Sequence, residues 1–304
     1  MIDNPVPNGI YAAVSTPFDG NDDVDTRRLT RHCHWLLANG CDGLGILGST
    51  GEANSQTMDE RRRVIDAVIT SGIDPDCLMP GTGCCALADT VALTRHALAA
   101  GITSVLMLPP FFYKNSSDEG LIAAYSRVID AVGDPRLKVL LYHFPQMSGV
   151  PITEAVARVL VDRYPGIVVG MKDSSGDLDA MTSMMGAVPE LAMFAGSERL
   201  LADCLDRIAG CITAGANVEA PLIRAVWDQR SSEPNGADVD IMVKVNLLLR
   251  EHGLFAPIKT LLARNYGDDT WRNIRPPLMQ MDEAGRTAFL AAFDALGYRL
   301  PTAA

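Results

Sequence analysis

The sequence alternates between short apolar runs and longer helix-like segments over most of its length. Each run ends at glycine, proline or a polar turn, as buried parallel strands do. The runs cover residues 10–16, 43–47, 77–81, 104–108, 138–142, 167–172, 191–194 and 210–213. Strands that alternate with helices in this way predict a parallel sheet with helices packed against it.

The number of strand–helix units distinguishes between two parallel architectures. A (β/α)8 barrel repeats the unit eight times within about 250 residues, whereas a doubly wound sheet usually has about five or six units and often a glycine fingerprint after its first strand. Here eight units are present, and the first turn, residues 16–18, reads Thr-Pro-Phe. The sequence therefore predicts an α/β fold, with a (β/α)8 TIM barrel as the catalytic domain over residues 1–229.

The remaining residues, 230–304, are predicted to form a helical extension. Helix-like segments cover about 238–252, 256–266 and 282–296, and no strand-like run follows residue 218. Residues 231–236 have the composition of a loop between helices rather than of a domain linker. We expect the extension to pack on the barrel, where it could cover the barrel or form a subunit contact.

Charge and composition exclude several classes of function. The net charge is −11, whereas nucleic acids and anionic membranes are bound by clustered lysine and arginine, so we expect neither partner. No apolar run reaches the roughly 18 residues of a membrane span, and residues 1–5 lack the features of a signal peptide. The seven cysteines are irregularly spaced, which predicts reduced thiols. The expected location is the cytoplasm.

A single lysine ends the run over residues 167–172. Lys172 is therefore predicted at the C-terminal end of a buried strand, the end at which barrels of this type carry their active sites. Poor solvation there should lower the pKa of the amine and make it a nucleophile that forms a Schiff base with a carbonyl substrate. The alternative is a structural lysine that reaches solvent or pairs with Asp173.

Two other strand ends carry residues that suit the same chemistry. Tyr142 should lie on the strand next to Lys172, where its phenol could carry protons; the alternative is packing with one hydrogen bond. Residues 48–52, Gly-Ser-Thr-Gly-Glu, could hold a carboxylate through N–H groups and hydroxyls; the alternative is a tight turn. His143 should point away from Tyr142 because side chains alternate along a strand, and we interpret it as structural.

Other chemistries lack their residues in this sequence. No cluster with metal-ligand spacing appears at the strand ends, Ser49 has no evident histidine base, and the phosphate-binding glycine–lysine loop is absent. The adjacent Cys84 and Cys85 have neither the spacing of a zinc site nor a histidine nearby, so we interpret them as packing residues. We predict no metal site.

Three motifs together resemble a known family, the pyruvate-dependent class I aldolases that include dihydrodipicolinate synthase and N-acetylneuraminate lyase. Residues 48–52 are similar to the family's Gly-Thr/Ser-Thr-Gly-Glu loop. Residues 142–145, Tyr-His-Phe-Pro, are similar to its Tyr-Asn-x-Pro motif, and residues 170–176, Gly-Met-Lys-Asp-Ser-Ser-Gly, to its Gly-x-Lys-x-Ser/Thr-x-Gly motif. The motifs occur in the family's order, and the resemblance covers nearly the whole chain.

The resemblance implies a carbon–carbon lyase that acts on pyruvate and an aldehyde, or on the 2-oxo acid they form. It implies a homotetramer and no cofactor beyond the covalent lysine–pyruvate Schiff base. In this interpretation Lys172 forms the Schiff base, Tyr142 relays protons, and the catalytic residues Ser49 and Thr50 bind the carboxylate and assist the relay. The implied substrate-binding residues are Gly48, Ser49, Thr50, Tyr113, Ser174, Gly196, Ser197 and Ile212.

Departures from the family motifs bear on the substrate. Dihydrodipicolinate synthase continues its tyrosine motif as Pro-Ser-Arg-Thr-Gly, and that arginine helps to hold the carboxylate of its aldehyde substrate. This chain has Met147 there, and a thioether cannot replace a bidentate guanidinium. The lyase branch also has an apolar residue at this position, but sialic acid lyases carry Asp-Glu where this chain has Glu198 and Arg199.

We therefore expect a 2-oxo-3-deoxy sugar acid or a related 2-oxo acid as substrate, with pyruvate as one fragment. One alternative is dihydrodipicolinate synthase itself, which condenses pyruvate with aspartate semialdehyde. The others are a dehydratase or hydratase-aldolase that uses the same iminium, and a pyruvate-binding protein without turnover.

The loop over residues 111–114, Phe-Phe-Tyr-Lys, differs from the synthase's Tyr-Tyr-Asn and has one residue more. It looks more like the loop of sugar-acid aldolases in the family. Tyr113 either represents the tyrosine that the synthase receives from its partner subunit, or that residue is missing. Lys114 and Arg199 could meet an anionic far end of the substrate; the alternative is that both are solvated.

Overall fold

Parallel strands form a barrel at the centre of the fold. The structure is a computed structural model, and it describes residues 6–230 and 234–302. Neighbouring strands pair in the order β2-β1-β7-β6-β5-β4-β3, and every pairing is parallel. The strands are β1 (Gly9–Ala13), β2 (Gly43–Gly45), β3 (Ser104–Met107), β4 (Lys138–His143), β5 (Val168–Asp173), β6 (Ala192–Ala195) and β7 (Gly210–Thr213).

An eighth segment closes the ring between β2 and β3. It is the predicted run over residues 77–81, whose Met79 N–H donates to the Leu44 carbonyl of β2 at 2.9 Å. On its other side the Leu106 N–H of β3 donates to the Pro80 carbonyl at 2.9 Å. Proline has no N–H, so the ladder is interrupted and the segment forms isolated bridges rather than a regular strand. The predicted (β/α)8 TIM barrel is confirmed.

Helices surround the strands, and most begin where a polar side chain caps the first turn. Side-chain caps come from Asp25, Thr57, Ser117, Thr153, Asp177, Asn235 and Asp282. The helices are α1 (Thr26–Ala38), α2 (Met58–Thr70), α3 (Leu87–Ala99), α4 (Asp118–Val132), α5 (Pro145–Ser148), α6 (Glu154–Arg163), α7 (Leu178–Ala187), α8 (Leu201–Cys204), α9 (Ala216–Asp228), α10 (Gly236–Glu251), α11 (Phe255–Tyr266) and α12 (Glu283–Ala295).

One predicted helix is much shorter than expected. The sequence predicts a helix over residues 198–208, but the chain forms a 3-10 turn and then only α8. The chain has to turn back to the barrel at Ala209, whose N–H donates to the Met193 carbonyl of β6 at 2.8 Å. A helix continued to residue 208 would leave no residues for that turn.

Two apolar layers lie on the two faces of the strands. The outer layer fills the space between strands and helices. The inner layer fills the barrel and consists mainly of Val6, Tyr11, Ala13, Met79, Leu106, Leu140, Val169, Phe194, Ala209 and Ile212. The barrel is therefore packed below the level at which its strands end.

The helices after residue 234 share an apolar cluster with the barrel. Val218 of α9 packs in this cluster, so the extension rests on the last barrel helix. Its other buried members are Val245, Leu249, Ile258, Leu261, Leu262, Ala263, Trp271, Phe289 and Phe293. The boundary between residues 229 and 230 stays a prediction. Of the predicted loop over residues 231–236, residues 231–233 lie outside the described part of the chain, as do residues 1–5 and 303–304.

The cysteines and the lengths of the helices bear on two further sequence predictions. All seven cysteine thiols are free in the structure, and five of them are buried. Across residues 6–230 and 234–302, no helix is long and apolar enough to cross a membrane.

Candidate active site

Lys172 and Tyr142 meet at the C-terminal end of the barrel. They are register partners on β5 and β4, and the Lys172 Nζ donates to the Tyr142 hydroxyl at 3.3 Å. The same Nζ lies 4.4 Å from the centroid of the tyrosine ring. The two residues are only 4% and 3% exposed. The predicted placement of the two residues on adjacent strands at one level is confirmed.

A β-bulge turns Lys172 toward the inside of the barrel. The pairing of β5 with β4 skips Val169, which packs in the inner layer. Strict alternation after Val169 would place Met171 inside and Lys172 outside. Because the bulge inserts one residue, Met171 packs instead in the outer layer, and Lys172 faces inward beside Tyr142.

Lys172 has no carboxylate partner among the residues that the structure describes. Asp173, the alternative partner, is buried and accepts the N–H of Ser175 at 2.7 Å. The interpretation of Lys172 as a lysine paired with Asp173 is therefore wrong. His143 is structural, as predicted: its Nδ1 accepts the Ile152 N–H at 3.0 Å, and burial lowers its pKa, while the negative charge of Asp173 opposes that shift.

The turn after β2 presents hydrogen-bond donors that no described residue accepts. Gly51 and Glu52 donate their N–H groups to the carbonyls of Gly48 and Ser49 at 3.1 and 3.0 Å, which closes the turn. Within the described chain, neither the N–H nor the hydroxyl of Ser49 or Thr50 has an intramolecular partner. Donors on consecutive residues of such a turn can hold a carboxylate.

The extension anchors this turn from below. Leu47 and Glu52, which flank it, adopt left-handed backbone conformations with φ of 57° and 53°, a strain that persists only where the surroundings enforce it. The buried Glu52 carboxylate forms an ion pair with Lys259 of α11 and accepts the Arg275 N–H at 3.0 Å. Burial lowers the pKa of Lys259 to about 8, and the charge of Glu52 opposes that shift.

An open cleft extends from Lys172 toward the extension. It has about 460 Å³ of empty volume, part of it open to solvent. Six of the predicted site residues line it, namely Lys172, Tyr142, Ser49, Thr50, Ser174 and Gly196. Gly48 lines a smaller neighbouring cavity, which also borders Ser49 and Tyr142.

Three predicted substrate-binding residues lie away from the cleft lining. Ile212 is fully buried in the inner layer of the barrel. Ser197 is buried, and its hydroxyl has no hydrogen-bond partner among residues 6–230 and 234–302. Tyr113 is 77% exposed, and its ring packs edge-on against Phe112. The roles of all three in substrate binding stay predictions.

The two loop cations also lie outside the cleft lining. The Lys114 Nζ donates to the carbonyls of Phe111 and Ser148 at 2.5 and 2.8 Å. These bonds connect the loop over residues 111–114 to the end of α5. Arg199 lies beside Gly176 in the turn after β5. Met147, at the position of the synthase arginine, is 52% exposed.

The far wall of the cleft comes from residues that the sequence analysis missed. It consists of Thr213, at the end of β7, with Asn246 and Arg250 of α10 and Phe255 of α11. The Arg250 Nε donates to the Asn246 Oδ1 at 3.1 Å. Asn246 and Arg250 are four residues apart and so share one helix face, which was a signal available in the sequence.

The closed parallel barrel, with a buried lysine in an open cleft at its strand ends, defines the class of protein as a (β/α)8 enzyme. Comparison with known sequences identifies the family. The profile of the Dihydrodipicolinate synthetase family matches residues 6–296, and the chain belongs to this family. The names of its relatives, which include lyases, indicate that it is a carbon–carbon lyase.

Two relatives and one solved structure illustrate the similarity. An uncharacterized DapA-like lyase of Chloroflexus aurantiacus is 37% identical over 225 residues, 73% of this chain and 74% of that protein. N-acetylneuraminate lyase of Salmonella agona is 30% identical over 298 residues, 96% of each chain. The crystal structure of dihydrodipicolinate synthase from Agrobacterium tumefaciens is 30% identical, with a TM-score of 0.88 over 95% of this chain and 99% of that one. The resemblance found in the motifs is confirmed.

Proposed function

We propose that this lyase is a Schiff-base aldolase that cleaves or forms a 2-oxo-3-deoxy sugar acid, or a related 2-oxo acid, with pyruvate as one fragment. The observation that carries the proposal is the amine of Lys172, which is buried, unpaired with any carboxylate in the described chain, and 3.3 Å from the phenol of Tyr142 in an open cleft. An amine held in this way can attack a ketone when it is uncharged.

The first step joins the substrate to the enzyme. The uncharged amine of Lys172 attacks carbon 2 of the 2-oxo acid, and the proton that its nitrogen then loses passes to the carbonyl oxygen, which becomes a hydroxyl. The phenol of Tyr142 gives this hydroxyl a proton, water leaves, and an iminium remains. The carboxylate at carbon 1 binds the unused N–H and hydroxyl donors of Ser49 and Thr50.

The second step breaks the carbon–carbon bond. The phenolate of Tyr142 takes the proton of the hydroxyl on carbon 4, and the bond between carbons 3 and 4 breaks. Its electron pair moves into the iminium and gives an enamine, while carbon 4 leaves as an aldehyde. Protonation of the enamine and addition of water then release pyruvate and the free amine. The aldol direction reverses these steps.

The substrate class is inferred from the wall opposite the strand ends. Asn246 and Arg250 offer an amide and a guanidinium to the part of the substrate beyond carbon 3, which suits hydroxyl groups or an anion. Dihydrodipicolinate synthase is the second candidate, favoured by the 30% identity to the Agrobacterium enzyme. The exposed Met147 disfavours it because a thioether does not bind a carboxylate.

Cofactor, location and assembly belong to the same proposal. The Schiff base accepts the electron pair of the broken bond, so the reaction as written needs no external cofactor. Free cysteines suit the reducing cytoplasm. Phe112 and Tyr113 are 70% and 77% exposed and form an apolar patch that suits a subunit contact of a homotetramer. Light scattering tests the homotetramer: a particle of one chain mass, 32.6 kDa, would contradict it.

Trapping with borohydride tests the chemistry. The protein is incubated with pyruvate, reduced and weighed, and the modified peptide is identified. We expect one reduced pyruvate on Lys172 and none in Lys172→Ala. Lys138→Ala is the matched control, because Lys138 lies on β4 at the opposite end of the barrel and should leave the adduct unchanged. Absence of any adduct in the unchanged protein would contradict every Schiff-base function.

An aldehyde panel then separates the candidate reactions. Pyruvate is offered with polyhydroxy aldehydes and with aspartate semialdehyde, and its consumption is followed. Faster turnover of polyhydroxy aldehydes supports the sugar-acid aldolase, and faster turnover of aspartate semialdehyde identifies the synthase. A trapped adduct without turnover of any aldehyde supports a pyruvate-binding protein. A trapped adduct with loss of water from a sugar acid as the sole reaction supports a dehydratase.

A further inference from the structure

Two buried glutamates face each other beside the cleft. Glu198 follows β6, Glu219 lies in the first turn of α9, and both are 0% exposed. The backbone of Glu219 leaves the helical region, with φ of −134°. A β-carbon on Gly215 would collide with an Oε1 of each glutamate, so only glycine leaves room for the pair. None of the three motifs in the sequence includes Glu219.

The pair needs a proton. In the described chain, no N–H or O–H donor reaches either oxygen of Glu219, and the carboxylate of Glu198 faces it. Two acceptors in contact are compatible only when one carries a hydrogen. Burial, and then the charge of Glu198 and the hydrogen bond to it, raise the pKa of Glu219 well above its usual range.

Glu198 also binds two residues of the cleft. It accepts the hydroxyl of Thr213 through Oε2 and the amide N–H of Asn246 through Oε1. Both of these partners line the far wall of the cleft. Thr213 belongs to the barrel and Asn246 to the extension, so Glu198 fixes the position of one against the other.

We propose that protonated Glu219 is a positioning residue for this wall: its O–H donates to Glu198 and thereby holds Glu198 where it accepts from Thr213 and Asn246. This inference rests on the proposed aldolase function and specifies which part of the substrate depends on the pair. Glu219 does not touch the cleft and acts only through Glu198.

The pair serves the aldehyde-derived part of the substrate. In the proposed reaction Lys172 bonds to carbon 2, and the turn with Ser49 and Thr50 binds the carboxylate. Carbon 4 and the atoms beyond it therefore have to face the far wall of the cleft. Loss of the pair should therefore weaken recognition of the aldehyde while Schiff-base formation with pyruvate continues.

The other titratable groups around the pair do not neutralise it. Tyr298 donates its hydroxyl to the Val218 carbonyl at 3.3 Å, and burial raises its pKa. Burial keeps Cys211 of β7 a thiol and lowers the pKa of His32 of α1 to about 4, so both are uncharged at neutral pH. Arg250 of α10 donates its Nε to Asn246 rather than to a glutamate. In the described chain, no cation forms an ion pair with Glu219.

Two substitutions of Glu219 separate positioning from packing. Glu219→Leu removes the donor, whereas Glu219→Gln keeps one and cannot ionise. Val218→Ala is the matched control, because it removes packing from the same turn of α9 without touching the pair. The measurements are the trapped pyruvate adduct and the KM for the aldehyde that the unchanged protein turns over fastest in the panel.

We expect Glu219→Leu to raise the KM for the aldehyde about tenfold or more and to leave the pyruvate adduct in place. Glu219→Gln should stay within about threefold of the unchanged protein, and Val218→Ala should lose stability without a change in this KM. Equal KM values in Glu219→Leu and the unchanged protein, or equal losses in the Leu and Gln variants, would overturn the inference. Absence of the adduct from the unchanged protein would instead overturn the proposed function.

The pH profile gives a second measurement, which does not depend on Glu219→Leu being folded. Because the pKa of Glu219 is raised in the folded protein, its proton favours folding below the ordinary value of 4.5, and this contribution is lost as the pH rises through the folded-state pKa. Relative to Glu219→Gln, the unchanged protein should therefore lose stability as the pH rises above 4.5, and aldehyde affinity as the pH rises through the folded-state pKa of Glu219. Parallel profiles would contradict a shared proton.

Discussion

At the scale of single residues, packing holds the phenol of Tyr142 in position beside the amine of Lys172. Tyr142 is buried on β4, and its ring stacks on Phe144 with centroids 5.8 Å apart and planes 24° apart. The hydroxyl faces the amine at 3.3 Å and borders the cavity that Ser49 also lines. Such a phenol can reach the reacting atoms without rearrangement, which is what a proton carrier requires.

Tyr142→Phe should therefore separate catalysis from binding. The substitution removes the hydroxyl of the proposed proton relay but keeps the ring that packs on Phe144. We expect kcat to fall about 100-fold to 10,000-fold, the usual contribution of a positioned acid or base, with little change in the pyruvate concentration that half-saturates adduct formation. Steady-state kinetics and borohydride trapping measure the two quantities.

Phe144→Leu is the control for this substitution. It removes the stacking partner and keeps the hydroxyl, so it should cost less in kcat than Tyr142→Phe. If Tyr142→Phe weakens pyruvate binding as much as it slows turnover, the tyrosine contributes to binding and is not a proton relay.

At the scale of elements, the helical extension builds part of the site. Helix α10 supplies Asn246 and Arg250 to the cleft wall, and α11 supplies Lys259 to the turn that presents Ser49 and Thr50. The ammonium of Lys259 also lies 4.4 Å from the ring centroid of the buried Phe18. The extension thus does more than cover the barrel, because two of its helices position opposite sides of one cleft.

Lys259→Met should destabilise the protein and loosen the turn after β2, which presents Ser49 and Thr50. The side chains of Lys259 and Glu52 are 1% and 0% exposed, so the substitution leaves a buried charge without its partner. We expect a loss of about 3 to 5 kcal/mol in the free energy of unfolding and a raised KM for pyruvate. Denaturant unfolding and kinetics at low temperature measure the two effects.

The double variant Lys259→Met with Glu52→Gln provides the internal control. It removes the unpaired charge as well and should recover part of the lost stability. If the double variant loses the sum of the two single effects, then Glu52 and Lys259 do not interact, and the turn is held by its other contacts.

The sequence could predict the barrel and two catalytic candidates because these depend on local patterns. Lys172 and Tyr142 stand at the ends of apolar runs, and parallel strands bring such ends to one edge. The apolar run over residues 167–172 does not indicate the bulge at Val169, although the bulge determines that Lys172 faces inward. Lys259 and Glu219 were missed because their importance arises from contacts between segments far apart in the chain, which periodicity does not report.

At the scale of the whole molecule, barrel and extension are joined by polar as well as apolar contacts. Arg28 of α1 donates its Nε to Asp268 at 2.7 Å, and Asn273 donates its amide to the carbonyls of Phe18 and Asp19 at 3.1 and 2.8 Å. With Val218 in the apolar cluster of the extension, these contacts reach α1, the loop between β1 and α1, and α9. Removal of the extension would expose apolar surface and unpair buried polar groups at once.

The full chain should therefore unfold as one cooperative unit, and the fragment over residues 1–229 should not fold alone. Without the extension, Val218 loses its apolar neighbours and the buried Glu52 loses Lys259, and both losses fall on the barrel. We expect a single calorimetric transition for the full chain, and no cooperative transition or pyruvate adduct for the fragment. A fragment that unfolds cooperatively and traps pyruvate on Lys172 as the full chain does would show that the barrel is complete by itself. In that case the extension would act only on the far wall of the cleft.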